Sequence, residues 1–399
     1  MRLHIEGNIN EYYVQTLCMI FFPGEKFSPE GEEDAHRLFL KVTDGEADIS
    51  ATARLIYQGK EATAEKALPL REDMTQDRLR KIVIGHVVLS VAGDLLHYRP
   101  SWGMLTGVRP SKVATEMLLR GMSKTRVKKA LSADYLVIPK KAALATDVAL
   151  HEQRIIGVPD VRDCSVYISI PFCPSRCSYC SFVSYTSKRL LSLIPEYLEM
   201  LKREVAAKLA LIRELGLRIR TIYIGGGTPT ILTADQLRQL LSVIAEGADI
   251  EALEEFTLES GRPDTIDAEK MAIAKAFGVT RVCVNPQTLS NEVLHGVGRL
   301  HSAEDFFRAY DIAKNSGIKC INTDLIVGLP GDNFSSFSAT FDRILQMEPE
   351  NITVHTFCVK RAAEILRQGN HVYNLRGGDA GKCVDYSQIR AHEAGYFPY

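Results

Sequence analysis

The sequence predicts an α/β fold in which a parallel sheet carries the functional residues, preceded by a small α+β domain. From about residue 163, six apolar strand-like runs alternate with amphipathic helices. A polar or glycine-rich break follows each of these runs. The chain has 399 residues, of which 46% are apolar and 24% charged, as expected for a soluble protein of two or three domains. We predict domains at residues 1–160 and 161–399.

The first 160 residues have a mixed pattern. Arg2–Glu6 alternates like a strand and residues 11–20 have a helical pattern. Residues 38–42 and 51–57 resemble two strands around the turn-forming pair Asp44-Gly45. A buried helix is predicted from Thr75 to about residue 96, and short helices over 111–154. We find no catalytic constellation here and predict an accessory α+β domain.

The second region is predicted to contain six strands and the helices between them. The strands are expected at residues 166–170, 221–224, 256–259, 280–284, 319–327 and 352–357. Pro195 opens a helix that ends at Gly216, and Thr233 with Gln236 forms a capping box for another. Further helices are expected at 267–277, 302–317 and 334–346. Such repeats imply right-handed crossovers and a parallel sheet, either open or curled into a partial barrel.

The motifs of this region all lie near the carboxyl ends of predicted strands or directly after them. In strand order they are Cys173, the glycines 225–227, Glu259, Gln287, Asp324 and His355. Because parallel strands end at one edge of a sheet, these residues are expected to lie together, where ligands bind in such folds. Glycine-rich turns also occur merely to permit tight packing, and Gln287 could instead cap the next helix. Asp324, inside an apolar run, is costly to bury unless it is paired or ligand-bound.

The cysteines of the run VYISIPFCPSRCSYCSF have the spacing C-x3-C-x2-C. Cys173, Cys177 and Cys180 supply three thiolates with no adjacent fourth. Closed zinc sites and the common iron–sulfur patterns use four ligands, so a triad indicates a four-iron cluster with one open iron. The alternatives are a zinc knuckle or clustered core cysteines.

Bulk properties exclude several classes of partner. The net charge is −1, so nothing indicates nucleic-acid binding. No apolar run reaches the roughly 18–20 residues that cross a bilayer, and the N-terminus lacks the apolar core of a secretory signal. Nine scattered cysteines favour reduced thiols and a cytoplasmic protein.

With these residues collected, the chain resembles the radical S-adenosylmethionine (SAM) superfamily, and within it the oxygen-independent coproporphyrinogen III oxidases (dehydrogenases). The likeness runs from about residue 167 to 361, through YISIPFCPSRCSYCSF, YIGGGTPT, VNPQTLSNEVLHGVGRLH, NTDLIVGLPG and ITVHTFCVKRA. The run SWGMLTGVRPSKV is similar to a variant branch with an extra N-terminal domain.

The resemblance implies a partial (βα)6, TIM-like barrel, a [4Fe–4S] cluster and bound SAM. It places Cys173, Cys177 and Cys180 on iron, and identifies no catalytic side chain. The residues implied around one or two SAM molecules are Tyr167, Tyr179, Gly226, Gly227, Thr228, Glu259, Gln287, Arg299, Asp324 and Cys358.

The implied reaction begins when an electron from a reductase, ferredoxin or flavodoxin cleaves SAM to a 5′-deoxyadenosyl radical. The radical takes hydrogen from a propionate of coproporphyrinogen III, which loses CO2 and an electron to leave a vinyl group, and this happens twice. Lys360, Arg361 or Arg262 could anchor the carboxylates of this tetrapyrrole. The resemblance implies a monomer.

The sequence departs from the family at two points. The best-known members carry another cysteine where this chain has Phe182, and the CSF ending is shared with the heme-chaperone branch. Family chains continue past the run GYFPY, so a chain ending at Tyr399 is expected to be truncated. The alternatives are a heme-binding or heme-trafficking protein without porphyrinogen turnover, and a structural zinc scaffold.

Overall fold

The computed structural model describes residues 1–27, 36–106, 109–158, 160–358 and 378–399. These residues form two compact units, one containing residues 1–158 and 397–399 and the other the remaining described residues up to 396. In these ranges, no helix is both long enough and apolar enough to cross a membrane.

The first unit is an α+β structure with its own core. Its strands are β1 (Arg2–Glu6), β2 (Arg37–Asp44), β3 (Asp48–Tyr57) and β4 (Lys60–Pro69). Its helices are α1 (Glu11–Phe21), α2 (Gln76–Leu96), α3 (Pro110–Leu119), α4 (Lys124–Tyr135) and α5 (Pro139–Ile156). β1 pairs parallel with β2, and β2, β3 and β4 form an antiparallel meander. The apolar residues that alternate along β2 and β3 are buried, and α2 packs against β3 and β4.

The second unit is built on a six-stranded parallel sheet. Its strands are β5 (Asp163–Ile170), β6 (Arg218–Gly226), β7 (Glu255–Leu258), β8 (Arg281–Cys283), β9 (Cys320–Val327) and β10 (Asn351–Thr356). They lie side by side in chain order, with β5 and β10 at the two edges of the described sheet. The predicted partial (βα)6 architecture is therefore confirmed.

Helices connect these strands, and most of them bury their apolar faces in one core, whereas Val293 of α10 lies in a smaller separate cluster. They are α6 (Lys188–Leu191), α7 (Ile194–Glu214), α8 (Ala234–Gly247), α9 (Ala268–Ala276), α10 (Asn291–Gly296), α11 (Ala303–Asn315), α12 (Phe334–Gln346) and α13 (Gly378–Glu393). The capping box predicted for α8 is present, with Thr233 and Gln236 bonded reciprocally. Because all six strands run parallel, their carboxyl ends and the loops that follow share one edge of the sheet.

Candidate functional site

The three cysteines lie on the loop that follows β5. Cys173 and Cys177 are buried and Cys180 is half-buried, and all three are free thiols. The Cys173 N–H donates to the Tyr185 carbonyl at 3.1 Å, and the Cys180 N–H donates to the Cys177 carbonyl at 3.1 Å. The loop therefore closes on itself and presents three sulfur atoms from one short segment.

This cysteine loop is also held by the connection between α10 and α11. The Ser178 N–H donates to the Val297 carbonyl at 3.0 Å, and the Ser175 hydroxyl donates to the Gly298 carbonyl at 3.2 Å. Gly298 has φ +77°, and a Cβ there would lie 3.1 Å from the Arg176 carbonyl oxygen. Glycine at 298 thus permits both the turn and the close approach of the two segments.

The chemistry of the loop fits an iron–sulfur cluster. The Thr228 hydroxyl donates to Cys173 Sγ at 3.3 Å. Burial raises the pKa of the Cys173 and Cys180 thiols, so a metal would be needed to hold them as thiolates near neutral pH. No three His, Cys, Asp or Glu side chains in the described ranges converge as one metal ion requires. A single zinc ion would hold the sulfur atoms of its cysteine ligands about 3.8 Å apart, because each Zn–S bond is about 2.3 Å long. A four-iron cluster would instead bind each of the three thiolates through a different iron.

A second group of polar side chains lies around the glycine turn, which consists of Gly225, Gly226 and Gly227 at the end of β6. A Cβ on Gly225 would lie 2.8 Å from Glu259 Oε2 and 3.0 Å from the Tyr167 hydroxyl. Tyr223 donates a hydrogen bond to Glu259, and the Tyr167 and Tyr223 rings stack with centroids 5.5 Å apart. Burial raises the pKa of Glu259 to about 7, and the Asp324 carboxylate adds to this rise. Glu259 can therefore gain or lose a proton close to neutral pH.

Asp324 belongs to the same group and has several partners. It accepts hydrogen bonds from Asn285 Nδ2 at 3.0 Å and from Asn322 Nδ2 at 2.7 Å. His355 Nε2 lies 3.7 Å from Asp324 Oδ2, and this nearby carboxylate raises the pKa of His355. Hydrogen bonds from two amides, together with the nearby imidazole, thus offset the free-energy cost of burying the Asp324 carboxylate.

Gln287 is bound to this group through its backbone and is strained. Its N–H donates to the Asp324 carbonyl at 3.0 Å, and its carbonyl accepts from the Ile326 N–H at 3.0 Å. Its φ is +69°, a left-handed conformation unusual for a residue with a Cβ. Its buried Oε1 has no hydrogen-bond partner among the described protein atoms. A strained residue with an orphaned acceptor is typical of a ligand site.

Arg299 is buried between the two groups of side chains. Its Nη1 donates to the Asn285 carbonyl at 2.7 Å and its Nε donates to the Tyr179 hydroxyl at 3.3 Å. Tyr179, whose pKa is raised chiefly by burial, lies between Cys177 and Cys180 in the loop. Arg299 therefore links the cysteine loop to the end of β8.

The glycine turn brings the two groups together. A Cβ on Gly227 would lie 2.9 Å from Cys173 Sγ and 2.6 Å from the Phe172 carbonyl oxygen. A Cβ on Gly226, whose φ is +103°, would lie 2.6 Å from Ser169 Oγ. The glycines therefore let the end of β5 and the cysteine loop pack directly against this backbone, where any Cβ would clash.

Not every predicted site residue joins these groups. Cys358 is exposed after β10, and no described contact brings it to either group. Arg262 is buried and ion-paired with Asp264, and its role as an anchor for a substrate carboxylate stays a prediction. Lys360 and Arg361 lie outside the described residues.

Some partners in the site were not predicted. Tyr223 alternates with the buried Ile222 and Ile224, and this period of two indicates a side chain on the opposite face of β6. Asn322 precedes Asp324 by two residues in β9, so the same rule puts both on one face. The alternation was visible in the sequence, although it does not reveal which groups the side chains contact.

The comparisons with known proteins agree with this geometry. Residues 167–344 match the Radical SAM superfamily. The full chain is 32% identical to the oxygen-independent coproporphyrinogen-III oxidase-like protein HemZ of Bacillus subtilis, over 414 residues covering 100% of this chain and 81% of that protein. The chain belongs to the radical SAM superfamily and to its coproporphyrinogen III oxidase-like family.

Parts of the chain are also similar to a second curated protein in sequence and to a solved structure in fold. The heme chaperone HemW of Bacillus subtilis is 34% identical over 197 residues, which cover 49% of this chain and 51% of the chaperone. The coproporphyrinogen III oxidase HemN from Escherichia coli has a similar fold, with a TM-score of 0.52 and 23% identity over 62% of this chain and 56% of that one. The predicted family, fold class and cofactors, a [4Fe–4S] cluster and SAM, are confirmed, and the zinc alternatives are not.

Proposed function

We propose that this protein is a radical SAM enzyme that oxidatively decarboxylates the propionate side chains of coproporphyrinogen III. The observation that carries the radical chemistry is that the cysteine loop and the Glu259 group border the same glycine turn, at Gly227 and Gly225. The choice of substrate rests on the full-length similarity to a coproporphyrinogen-III oxidase-like protein.

Different residues of the site would bind the cluster and SAM, the two groups that this reaction needs. When bound, the cluster and SAM supply a carbon radical that removes hydrogen from an unactivated carbon. Cys173, Cys177 and Cys180 would hold the cluster. The carboxylate of Glu259 and the unpaired Oε1 of Gln287 would accept hydrogen bonds from the SAM amino group.

A second candidate function is heme binding or trafficking, and one observation favours it. Phe182 and Val183, which follow the last cysteine, are 67% and 69% exposed, and Tyr185 is 41% exposed. An exposed apolar surface of this kind is typical of a binding surface and could stack on a flat porphyrin. The 34% sequence identity to a heme chaperone over about half of the chain agrees with this alternative.

Product analysis under strict anaerobiosis separates the two functions. The iron-loaded protein would be incubated with SAM, dithionite and coproporphyrinogen III, and the products separated by chromatography. The enzyme is expected to form 5′-deoxyadenosine in step with protoporphyrinogen. Deoxyadenosine without any change in the porphyrinogen would refute the proposed substrate. Tight heme binding without turnover would support the second function.

A matched pair of variants tests the role of the loop. Cys177→Ala is expected to abolish both products because one iron loses its ligand. Cys164→Ala, at the opposite end of β5, is expected to retain both.

A further inference from the structure

A guanidinium group is buried against the cysteine loop. Arg262 is 4% exposed. Its Nη1 donates to the Ser175 carbonyl at 3.1 Å and lies 3.9 Å from Cys177 Sγ. Its Nε donates to Asp264 Oδ1 at 3.2 Å. The positive charge of Arg262 is thus held next to a sulfur atom that the cluster requires.

The partners of Arg262 do not use all of its capacity. Its Nη2 is buried and has no hydrogen-bond partner among the described protein atoms. A buried donor left without an acceptor is unfavourable. In the described ranges its ion-pair partner is Asp264, whose side chain is 24% exposed and therefore partly solvated. The guanidinium therefore keeps a donor without a partner and a charge that Asp264 only partly compensates, while its Nη1 contacts the cysteine loop.

The neighbouring imidazole does not supply the charge. Burial lowers the pKa of His301 to about 4, and the positive charges of Arg299 and Arg262 act in the same direction. His301 is therefore neutral near pH 7. Of the three side chains, the two arginines carry the positive charge beside the loop. Arg299 also interacts with Cys177, but its guanidinium donates to the Asn285 carbonyl and the Tyr179 hydroxyl, whereas Arg262 has a donor without a partner among the described protein atoms.

We propose that Arg262 is a positioning residue that raises the reduction potential of the cluster held by Cys173, Cys177 and Cys180. On reduction, one electron from dithionite or a low-potential donor protein is added to the cluster, which becomes more negative. A buried positive charge stabilises that state, and N–H donors to sulfur do the same. The proposal depends on the cluster and not on the substrate, so it can fail while the proposed function stands.

The test is a redox titration of the reconstituted full-length protein, followed by electron paramagnetic resonance of the reduced cluster. Arg262→Gln removes the charge and is expected to shift the midpoint potential to more negative values. Asp264→Asn removes the counter-charge and is expected to shift it to more positive values. Arg262→Lys keeps the charge, and its midpoint potential is expected to lie between those of the wild type and Arg262→Gln. Opposite shifts from two partners of one ion pair would not arise if the pair only braced the loop.

The control is Arg308→Gln, which makes the same change of charge at a side chain that is 72% exposed on α11. Solvent and salt screen an exposed charge, so no shift is expected there. An unchanged potential in an iron-loaded Arg262→Gln protein overturns the proposal. If Arg262→Gln binds no iron, the test uses Asp264→Asn instead. A midpoint potential of Asp264→Asn equal to or below that of the wild type then overturns the proposal.

Discussion

Glu259 is the residue at which burial has the clearest chemical consequence. The group is half-buried beside Tyr223 and near Asp324, and its pKa is raised to about 7. A carboxylate at this position can bind a cation such as the amino group of SAM only after it loses its proton. Its protonation state is thus expected to control the affinity for SAM.

Replacing this carboxylate tests its contribution to binding. Glu259→Gln is expected to lower the affinity for SAM by about 10- to 150-fold, because a charge-assisted hydrogen bond contributes about 1.5–3 kcal/mol. Calorimetry on the iron-loaded protein under anaerobic conditions measures the change. Glu255→Gln, at the opposite end of β7, is the control and should bind SAM as the wild type does. Equal affinities in the two variants would refute the assigned contact.

The same residue predicts a dependence of binding on pH. Since Glu259 titrates at about 7, the dissociation constant for SAM should rise about tenfold for each pH unit below 7. His355, whose pKa is raised by Asp324, becomes positively charged as the pH falls, and this charge also disfavours a cation at the site. The hydroxyl of Tyr223, whose pKa is also raised, stays protonated throughout. Binding measured from pH 5.5 to 8 should lose this slope in Glu259→Gln, and a flat wild-type profile would contradict the prediction.

Single residues also show what the sequence could and could not reveal. Glu259 was identified as a functional candidate because it ends a strand, and Asp324 because a carboxylate inside an apolar run is costly to bury. The sequence shows that Arg262 is charged, but its burial arises from contacts with residues 85 and 87 positions away, which no local pattern encodes. The strained φ of Gln287 is likewise set by the pairing of its backbone with β9.

At the level of elements, the glycine turn at the end of β6 has little room for change. A Cβ on Gly227 would press on the Phe172 carbonyl oxygen and on Cys173 Sγ. We expect Gly227→Ala to lower the iron bound per chain after reconstitution and to destabilise the protein by about 1–3 kcal/mol. Iron analysis and thermal unfolding measure both effects.

Gly381→Ala, on α13, is the matched control for this substitution. No other atom lies within 4 Å of its Cβ position, and alanine is a better helix former by about 1 kcal/mol. It should keep its iron and unfold at the same or a higher temperature. Full iron loading in Gly227→Ala would show that the turn does not constrain the cysteine loop.

The strands that the sequence revealed and the one it missed differ in composition. The six strands of the second unit are apolar runs, and their positions were predicted to within a few residues. β4 was missed because its sequence, KEATAEKALP, is rich in Lys, Glu and Ala, which are depleted in strands. Its pairing with β3 along the full length of both strands makes it a strand, and this tertiary contact overrides the local preference.

For the whole molecule, we propose that residues 1–160 form a domain that folds independently. The described part of this region has a core of its own, which includes Leu38, Leu40, Val83 and Val87. A fragment of residues 1–158 is expected to unfold in one cooperative thermal transition and to bind no iron, since Cys18, its one cysteine, is buried. Circular dichroism and iron analysis test this expectation, and a fragment without a cooperative transition would contradict it.

The order of the strands has a consequence for how the metal centre is assembled. The cysteine loop leaves the ribosome early, directly after the first strand of the parallel sheet. Ser175 finds its partner Gly298 only 123 residues later, and the Arg262 contacts also come from downstream. Domains form while synthesis proceeds, so the nascent chain carries three unsupported thiols until most of the sheet has emerged. We therefore expect iron and sulfide to bind only after most of the sheet has formed, and the three thiols of an unfinished chain to be open to oxidation until then.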